Sequence, residues 1–281
     1  MLAPSMAKRP HTPRPVKNES NSGKRREHSF NLMWGLRERL NRGPRPELSL
    51  DAIIRAAIGI VDAESLSSLT MNRVATELDV TTMALYRHVP GKDELIDLMI
   101  DAALGTPPEP GGRDWQAEIV EWARASLGLF EARPWLLESV MRRAPIGPNW
   151  AAWLNAALQA LSGSGLTASE MVPTVLLIDG HVRSAAQATL GATGTGEWAE
   201  NFGTMLQRVS VDPRYAALAR VAGGSGFDQS EQSSFEFGLQ RILDGVESFI
   251  RTPASRRSRG AVGQRAAASR TPRVRSRGPK R

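Results

Sequence analysis

Residues 69–92, LTMNRVATELDVTTMALYRHVPGK, constrain the fold most. Thr70 precedes a helical pattern that runs to Leu78, and Thr81 or Thr82 opens a second one that ends near Val89, before Pro90-Gly91. Helices this short do not stand alone in water, so they must pack on each other. Ala75 is small enough for close approach, and Val74, Leu78, Val80 and Leu85 are apolar and fill the space between. Asp79 falls at the turn, where a positive φ is wanted; Asp is among the few L residues that tolerate it. The second helix then presents Thr81, Thr82, Met83, Tyr86, Arg87 and His88 outward. Short polar, aromatic and basic groups on one face suit a DNA groove.

The flanking sequence is also helical. Ser49 caps a helix from Leu50 to about Glu64, with Leu50, Ile53, Ile54, Ala57, Ile58 and Val61 as its apolar stripe. A fourth helix is expected over 92–104, with Leu95, Leu98, Met99 and Ala102 inward. Gly105–Gly112 holds three prolines and three glycines and reads as a domain boundary. Beyond it, helices are expected over 114–131, from Pro134, over 148–161, from Thr167 to about Leu190, in two shorter stretches, and over 231–250. Thr167 and Glu170 form a capping box, and Pro173 should bend the long helix. No alternating run bounded by hairpin turns is present, so the expected class is all-α.

Charge is distributed unevenly. Residues 1–47 carry net +7, 251–281 carry +11 with no acid, and 48–250 carry −11. Both ends are rich in Pro, Gly, Ser and Arg and poor in aliphatics, so disordered basic arms are expected at 1–47 and 251–281. Such arms suit a polyanion, most often nucleic acid, although a solubilising tail has the same composition. The chain has no cysteine, which removes disulfides, thiol catalysis and Cys-ligated metal. No membrane span or signal peptide is visible, and a cytoplasmic protein is expected. No cofactor or metal site is read.

Taken in order, the capped helix, the turn, Leu85-Tyr86-Arg87-His88, Lys92 and the amphipathic fourth helix resemble the TetR family signature over Ser49 to about Leu104. Trp34-Gly35 and Arg42-Gly43-Pro44-Arg45-Pro46 upstream are similar to actinobacterial-type members. Asp79 departs from the family's usual Gly. The resemblance implies a DNA-binding domain at 48–104 and a helical dimerisation and effector-binding domain at 113–250. It implies a homodimer on a palindromic operator, acting as a repressor that a small lipophilic molecule releases. It places Thr70 against phosphate, Thr82, Met83, Ala84 and Arg87 at base edges, and Tyr86, His88 and Lys92 on phosphates. Asn72 and Arg73 either reach the DNA backbone or form a solvated face. Residues 49–104 hold four basic residues against nine acids. Arg42 and Arg45 are therefore expected to add phosphate or minor-groove contacts. That arm, tethered beside the recognition helix, is expected to matter more for DNA than the C-terminal tail.

In the second domain, Trp115, Trp122, Trp135, Trp150 and Trp153 fall on helices expected to surround its centre, with Asp179 and His181 as polar contacts to an effector. An aromatic stripe at helical spacing equally suits a packed core. For the dimer, Ala185, Ala186 and Ala188 permit close approach, and Phe235, Leu239, Ile242, Val246 and Phe249 offer an apolar face that could instead pack within one subunit. A non-specific architectural DNA binder is the alternative function. The sequence holds no nucleophile elbow, P-loop or His-Glu-x-x-His string, so an enzyme is not expected.

Overall fold

Ser49, Thr70 and Thr81 each end a stretch of extended backbone and start a helix. Their hydroxyls accept from the backbone N–H of Ala52, Arg73 and Ala84, at 3.1, 3.0 and 3.3 Å. Each bond satisfies a donor that a helix N-terminus otherwise leaves open. The computed structural model describes residues 29–35, 48–112, 114–143, 146–193, 197–223 and 234–252. Among these, every regular element is helical, and no helix is long and apolar enough to cross a membrane. The helices are α1 (29–35), α2 (Leu50–Ala63), α3 (Met71–Glu77), α4 (Thr82–Tyr86), α5 (Lys92–Leu104), α6 (Trp115–Ala132), α7 (Pro134–Arg142), α8 (Pro148–Leu161), α9 (Ala168–Thr193), α10 (Glu197–Val209), α11 (Ala216–Ala222) and α12 (Ser234–Arg251), with 3₁₀ turns at Leu66–Ser68 and Pro213–Tyr215.

The chain divides into two compact units. The first comprises residues up to Thr106 together with Trp135–Ala152; the second comprises Pro107–Pro134 and Trp153 onward. In the first unit, α2 packs on α5 and α3, and α3 packs on α4. Ile53, Ile54, Ala57, Ile60 and Val61 of α2 are buried, together with Leu69, Val74, Ala75, Leu85 and Val89. Leu78 and Val80 are half-buried. Asp79 holds φ at 54°, as the turn demands. Because glycine reaches that region without a Cβ penalty, Asp79→Gly is expected to raise stability by about 1 kcal/mol. Thermal unfolding of the two proteins would show this as a higher midpoint for the glycine variant.

Helix α5 departs from the expected single stripe. Ala102 is exposed, while Glu94, Ile96, Ile100, Asp101, Ala103 and Leu104 are buried beside Leu95, Leu98 and Met99. The reason is that α5 is covered on more than one side. Arg143, just past α7, pairs with Asp93 at 2.6 Å and Asp97 at 3.2 Å. The Asp101 carboxylate accepts from the N–H groups of Asn149 and Trp150 at 3.0 and 3.1 Å, while Asn149 Nδ2 donates to the Asp101 carbonyl at 2.9 Å. Asp101 therefore serves as the acceptor for the first turn of α8 from a distant part of the sequence.

The expectation of disorder across residues 1–47 fails at 29–35, which form α1. Ser29 and Met33 are buried; Ser29 Oγ donates to Asp97 at 2.8 Å, and Trp34 Nε1 donates to the Ile146 carbonyl at 3.2 Å. Burial of a few large side chains here outweighs the polar composition around them. The rest of that arm and the C-terminal tail from 253 lie outside the described residues.

In the second unit α6 and α12 both pack on α9. Ile119, Trp122, Ala123 and Phe130 of α6 meet Val175, Ile178, Val182 and Ala186 of α9 and Phe235, Leu239, Leu243 and Val246 of α12 in a core built at helical spacing. The capping box closes as expected, with the Thr167 N–H donating to Glu170 at 2.8 Å. The long helix runs unbroken through Pro173 to Thr193. Arg124 on α6 pairs with Glu236 on α12 at 2.8 Å, and this hydrogen bond holds the Glu236 carboxyl below the usual carboxylate range.

Candidate nucleic-acid interface

The short helix α4 is anchored by Leu85, which is fully buried, and by Val89 just beyond it. Its opposite side stays in solvent. Met83 is 71% exposed and Tyr86 45%, and Thr81 and Arg87 are exposed as well. Thr82, Ala84, His88 and Lys92 are half-buried around them. An exposed methionine next to an exposed tyrosine has no packing explanation within the unit.

Ion pairing sorts the four basic residues of 49–104 into two classes. Arg55 is paired with Asp51 one helical turn away. Arg73 lies between Glu77 at 2.8 Å and Glu64 at 3.1 Å, and those hydrogen bonds raise its pKa further above an already high value. Arg87 and Lys92 form no ion pair among the described residues. The two uncommitted cations thus lie at the end of α4 and at the first residue of α5. The two carboxylate partners of Arg73 tie it to α3 and the end of α2 in the free protein. Asn72 is exposed, and Thr70 is exposed with its hydroxyl used as the cap of α3. Arg42 and Arg45 lie outside the described residues.

The proposed effector residues do not come together. Trp122 and Trp153 are buried in the second unit with ring centroids 6.0 Å apart, edge to face, and Trp122 Nε1 donates to the Trp153 carbonyl at 2.9 Å. Trp115 is half-buried at the start of α6. Trp135 and Trp150, by contrast, belong to the first unit. Trp135 Nε1 donates to Asp62 on α2 at 2.6 Å, and the Trp150 N–H is one of the groups held by Asp101. His181 turns toward α12. Its Nε2 is 2.8 Å from the Phe235 carbonyl, its ring is parallel to that of Phe235, and Gly238 supplies the space; a Cβ there would come within 2.3 Å of the imidazole. Asp179 pairs with Arg183 at 2.8 Å. A small cleft, with room for about one water molecule, opens in the second unit, lined by Pro108, Pro110, Glu118, Glu121, Trp122 and Ala156 among others. It reaches Trp122 but not His181.

The apolar faces also divide differently from expectation. Ala186, Phe235, Leu239 and Val246 are consumed inside the chain. Exposed instead are Val172, Leu176 and Leu177 on α9, at 42, 61 and 55%, and Phe237 and Phe249 on α12. Phe249 belongs to the face expected from the sequence; Val172, Leu176 and Leu177 are not evident there because a helix packed on one side and apolar on both shows little periodicity. No group of three or more potential metal ligands occurs among the described residues.

A buried two-helix frame with a positive-φ turn, an outward recognition helix and free cations at its end defines a helix-turn-helix DNA-binding protein. Residues 107–250 match the family model described as the tetracyclin repressor-like, C-terminal domain. The chain is 38% identical to the HTH-type transcriptional repressor DrrR1 of Streptomyces coeruleorubidus, over 83% of this chain and 88% of that protein. Its fold is similar to that of apo ActR from Streptomyces coelicolor, with TM-score 0.63 and 29% identity over 74% of this chain and 98% of ActR. It is also similar to ActR solved in complex with actinorhodin, with TM-score 0.64 and 28% identity over 74% and 100%. The chain belongs to the TetR family of helix-turn-helix transcriptional regulators and is not an enzyme.

Proposed function

We propose that this protein is a repressor that binds a palindromic operator as a homodimer and leaves it when a small, largely apolar effector occupies the second unit. The carrying observation is α4. Its buried side is complete, whereas Met83, Tyr86 and Arg87 project into solvent beside the two unpaired cations. On this reading residues 48–104 are the DNA-binding domain and 113–250 the dimerisation and effector domain. Thr81, Thr82, Met83, Ala84 and Arg87 face base edges, and Thr70, Asn72, Tyr86, His88 and Lys92 lie along phosphates. Arg87 suits guanine, since its fork matches the two major-groove acceptors of that base. The regulator acts in the cytoplasm, where its DNA is. The exposed residues of α9 and α12 cover each other in the dimer, and one recognition helix per subunit reads each half-site.

Selection of binding sites from a random duplex pool tests this. The native protein is expected to enrich one palindrome. Arg87→Ala is expected to lose about 1–3 kcal/mol of discrimination at one base step, whereas Lys92→Ala weakens all sequences alike. Unchanged preference with Arg87→Ala would remove Arg87 from the base-reading surface, and enrichment of nothing would favour an architectural DNA binder.

The effector reading rests on the complex of its relative ActR with actinorhodin, and the small cleft beside Trp122 would have to widen to admit such a molecule. Because Trp115, Trp122 and Trp153 share the second unit, polycyclic apolar compounds that bind there should change tryptophan emission and lower operator affinity together. Coupling of this kind is typically about 1–3 kcal/mol. Compounds that change emission while leaving DNA affinity intact would argue against an effector role.

A further inference from the structure

Among the large apolar side chains of residues 48–104, only Met83 and Tyr86 are exposed, and both lie on α4. Leu85 and Val89, each fully buried, complete the contact of α4 with the rest of its unit without them. The two exposed residues differ in what they can do against a base edge. Tyr86 ends in a hydroxyl that both donates and accepts. Met83 has no donor, and its thioether sulfur is only a weak acceptor.

The groups around Met83 are polar, half-buried or already in use. The Thr81 hydroxyl accepts from the Ala84 N–H at 3.3 Å, Thr82 and Ala84 are half-buried, and Arg87 offers a charged fork. Met83 is therefore the most exposed apolar group on the recognition face. Most of what the major groove shows is polar: ring nitrogens, carbonyl oxygens and amino groups. A methionine pressed on any of these removes water and returns no hydrogen bond, which is costly. The 5-methyl group of thymine is different. There two apolar surfaces leave water together, and both gain. The unbranched side chain of methionine also adapts its shape to a methyl group better than a branched one does.

We propose that Met83 is a specificity-determining residue that reads a thymine through its 5-methyl group. The proposal rests on the reading of α4 as the operator-binding helix, and it names the base feature that this helix recognises beside the guanine assigned to Arg87. Arg87 follows Met83 by four residues and keeps helical backbone, with φ −70° and ψ −23°. The two side chains therefore leave the same side of the helix about 6 Å apart along its axis. Base pairs follow one another at about 3.4 Å, so the apolar contact and the forked contact fall within one half-site.

The test uses the operator selected by the full chain. Each thymine of a half-site is replaced in turn by deoxyuridine, which lacks the methyl group and keeps the Watson–Crick pairing, first in one half-site and then in both. Binding is measured for the full chain, Met83→Ala and Met83→Leu. Since Met83 lies in solvent, all three should unfold at similar temperatures. One thymine position is expected to lose about fourfold in affinity per half-site, the worth of one buried methyl group, and about fifteenfold when both are replaced. Met83→Ala should bind the native operator more weakly and be indifferent to uracil at that position. Met83→Leu should keep most of the discrimination. A half-site without thymine, or one whose thymines all tolerate uracil, would overturn the proposal. So would an equal loss in the full chain and Met83→Ala, which would trace the effect to duplex shape or to another side chain. If selection enriches no sequence at all, the reading of α4 fails; if it enriches a palindrome that tolerates uracil throughout, only the assignment of Met83 fails.

Discussion

Asp101→Ala is expected to destabilise the protein by about 2–3 kcal/mol, although Asp101 touches neither the recognition helix face nor the cleft. Its carboxylate is buried and accepts two backbone N–H groups at the start of α8. Alanine leaves those donors without their acceptor in a site that water enters poorly. Asp101→Asn keeps one oxygen and loses only the charge, so it should cost about 1 kcal/mol. Gly147 supplies a second check. A Cβ at 147 would lie 2.1 Å from Asp101 Oδ1. Gly147→Ala is therefore damaging with Asp101 present and less so alongside Asp101→Ala, which removes the two nearest atoms but keeps the Asp101 Cβ, 2.7 Å from the added one. Denaturant unfolding of the four proteins in the cycle reads the coupling, and additive effects would show that the two residues do not act on each other.

The contrast between Asp101 and the helix caps shows what was legible in sequence. Ser49, Thr70 and Thr81 act on N–H groups three residues away, so each cap is written locally and its helix starts where expected. The same holds for Asp79, whose conformation is set by the turn it occupies. Asp101 acts across 48 residues, and nothing near it in sequence announces the helix that it caps. Helix α1 was missed for a related reason. Seven residues carrying Phe30, Met33 and Trp34 gain their stability from Asp97 and the Ile146 carbonyl, both remote in the chain.

The recognition face was legible because a helix-turn-helix is a local motif, and the residues left over after packing Leu85 point outward. The effector residues were not. Spacing shows that Trp135 and Trp153 each lie on a helix, but not that one packs against Asp62 while the other meets Trp122. His181 likewise looked like a polar handle for a ligand. Its partner, the Phe235 carbonyl, and the gap at Gly238 come from a helix more than fifty residues away.

Replacing Leu176 and Leu177 together by Arg is expected to give a folded monomer that binds operator at least a hundredfold more weakly. Both side chains are more than half exposed on α9 in the isolated chain, about one helical turn from the exposed Val172. Arginine at these places meets solvent in the monomer, so the fold should survive, with helical circular dichroism and unfolding close to native. In the proposed dimer the same positions bring like charges together across a desolvated face, which is costly. A monomer has one α4, and five helical residues contact too few bases for tight binding alone. Losing the second half-site therefore removes far more affinity than any single base contact. Sedimentation of the native protein at micromolar concentration should give twice the chain mass of 30.6 kDa. The double variant should sediment as a single chain. A variant that still sediments as a dimer would move the interface away from this face of α9. A native protein that is monomeric yet binds one palindrome tightly would require the two subunits to meet only on DNA.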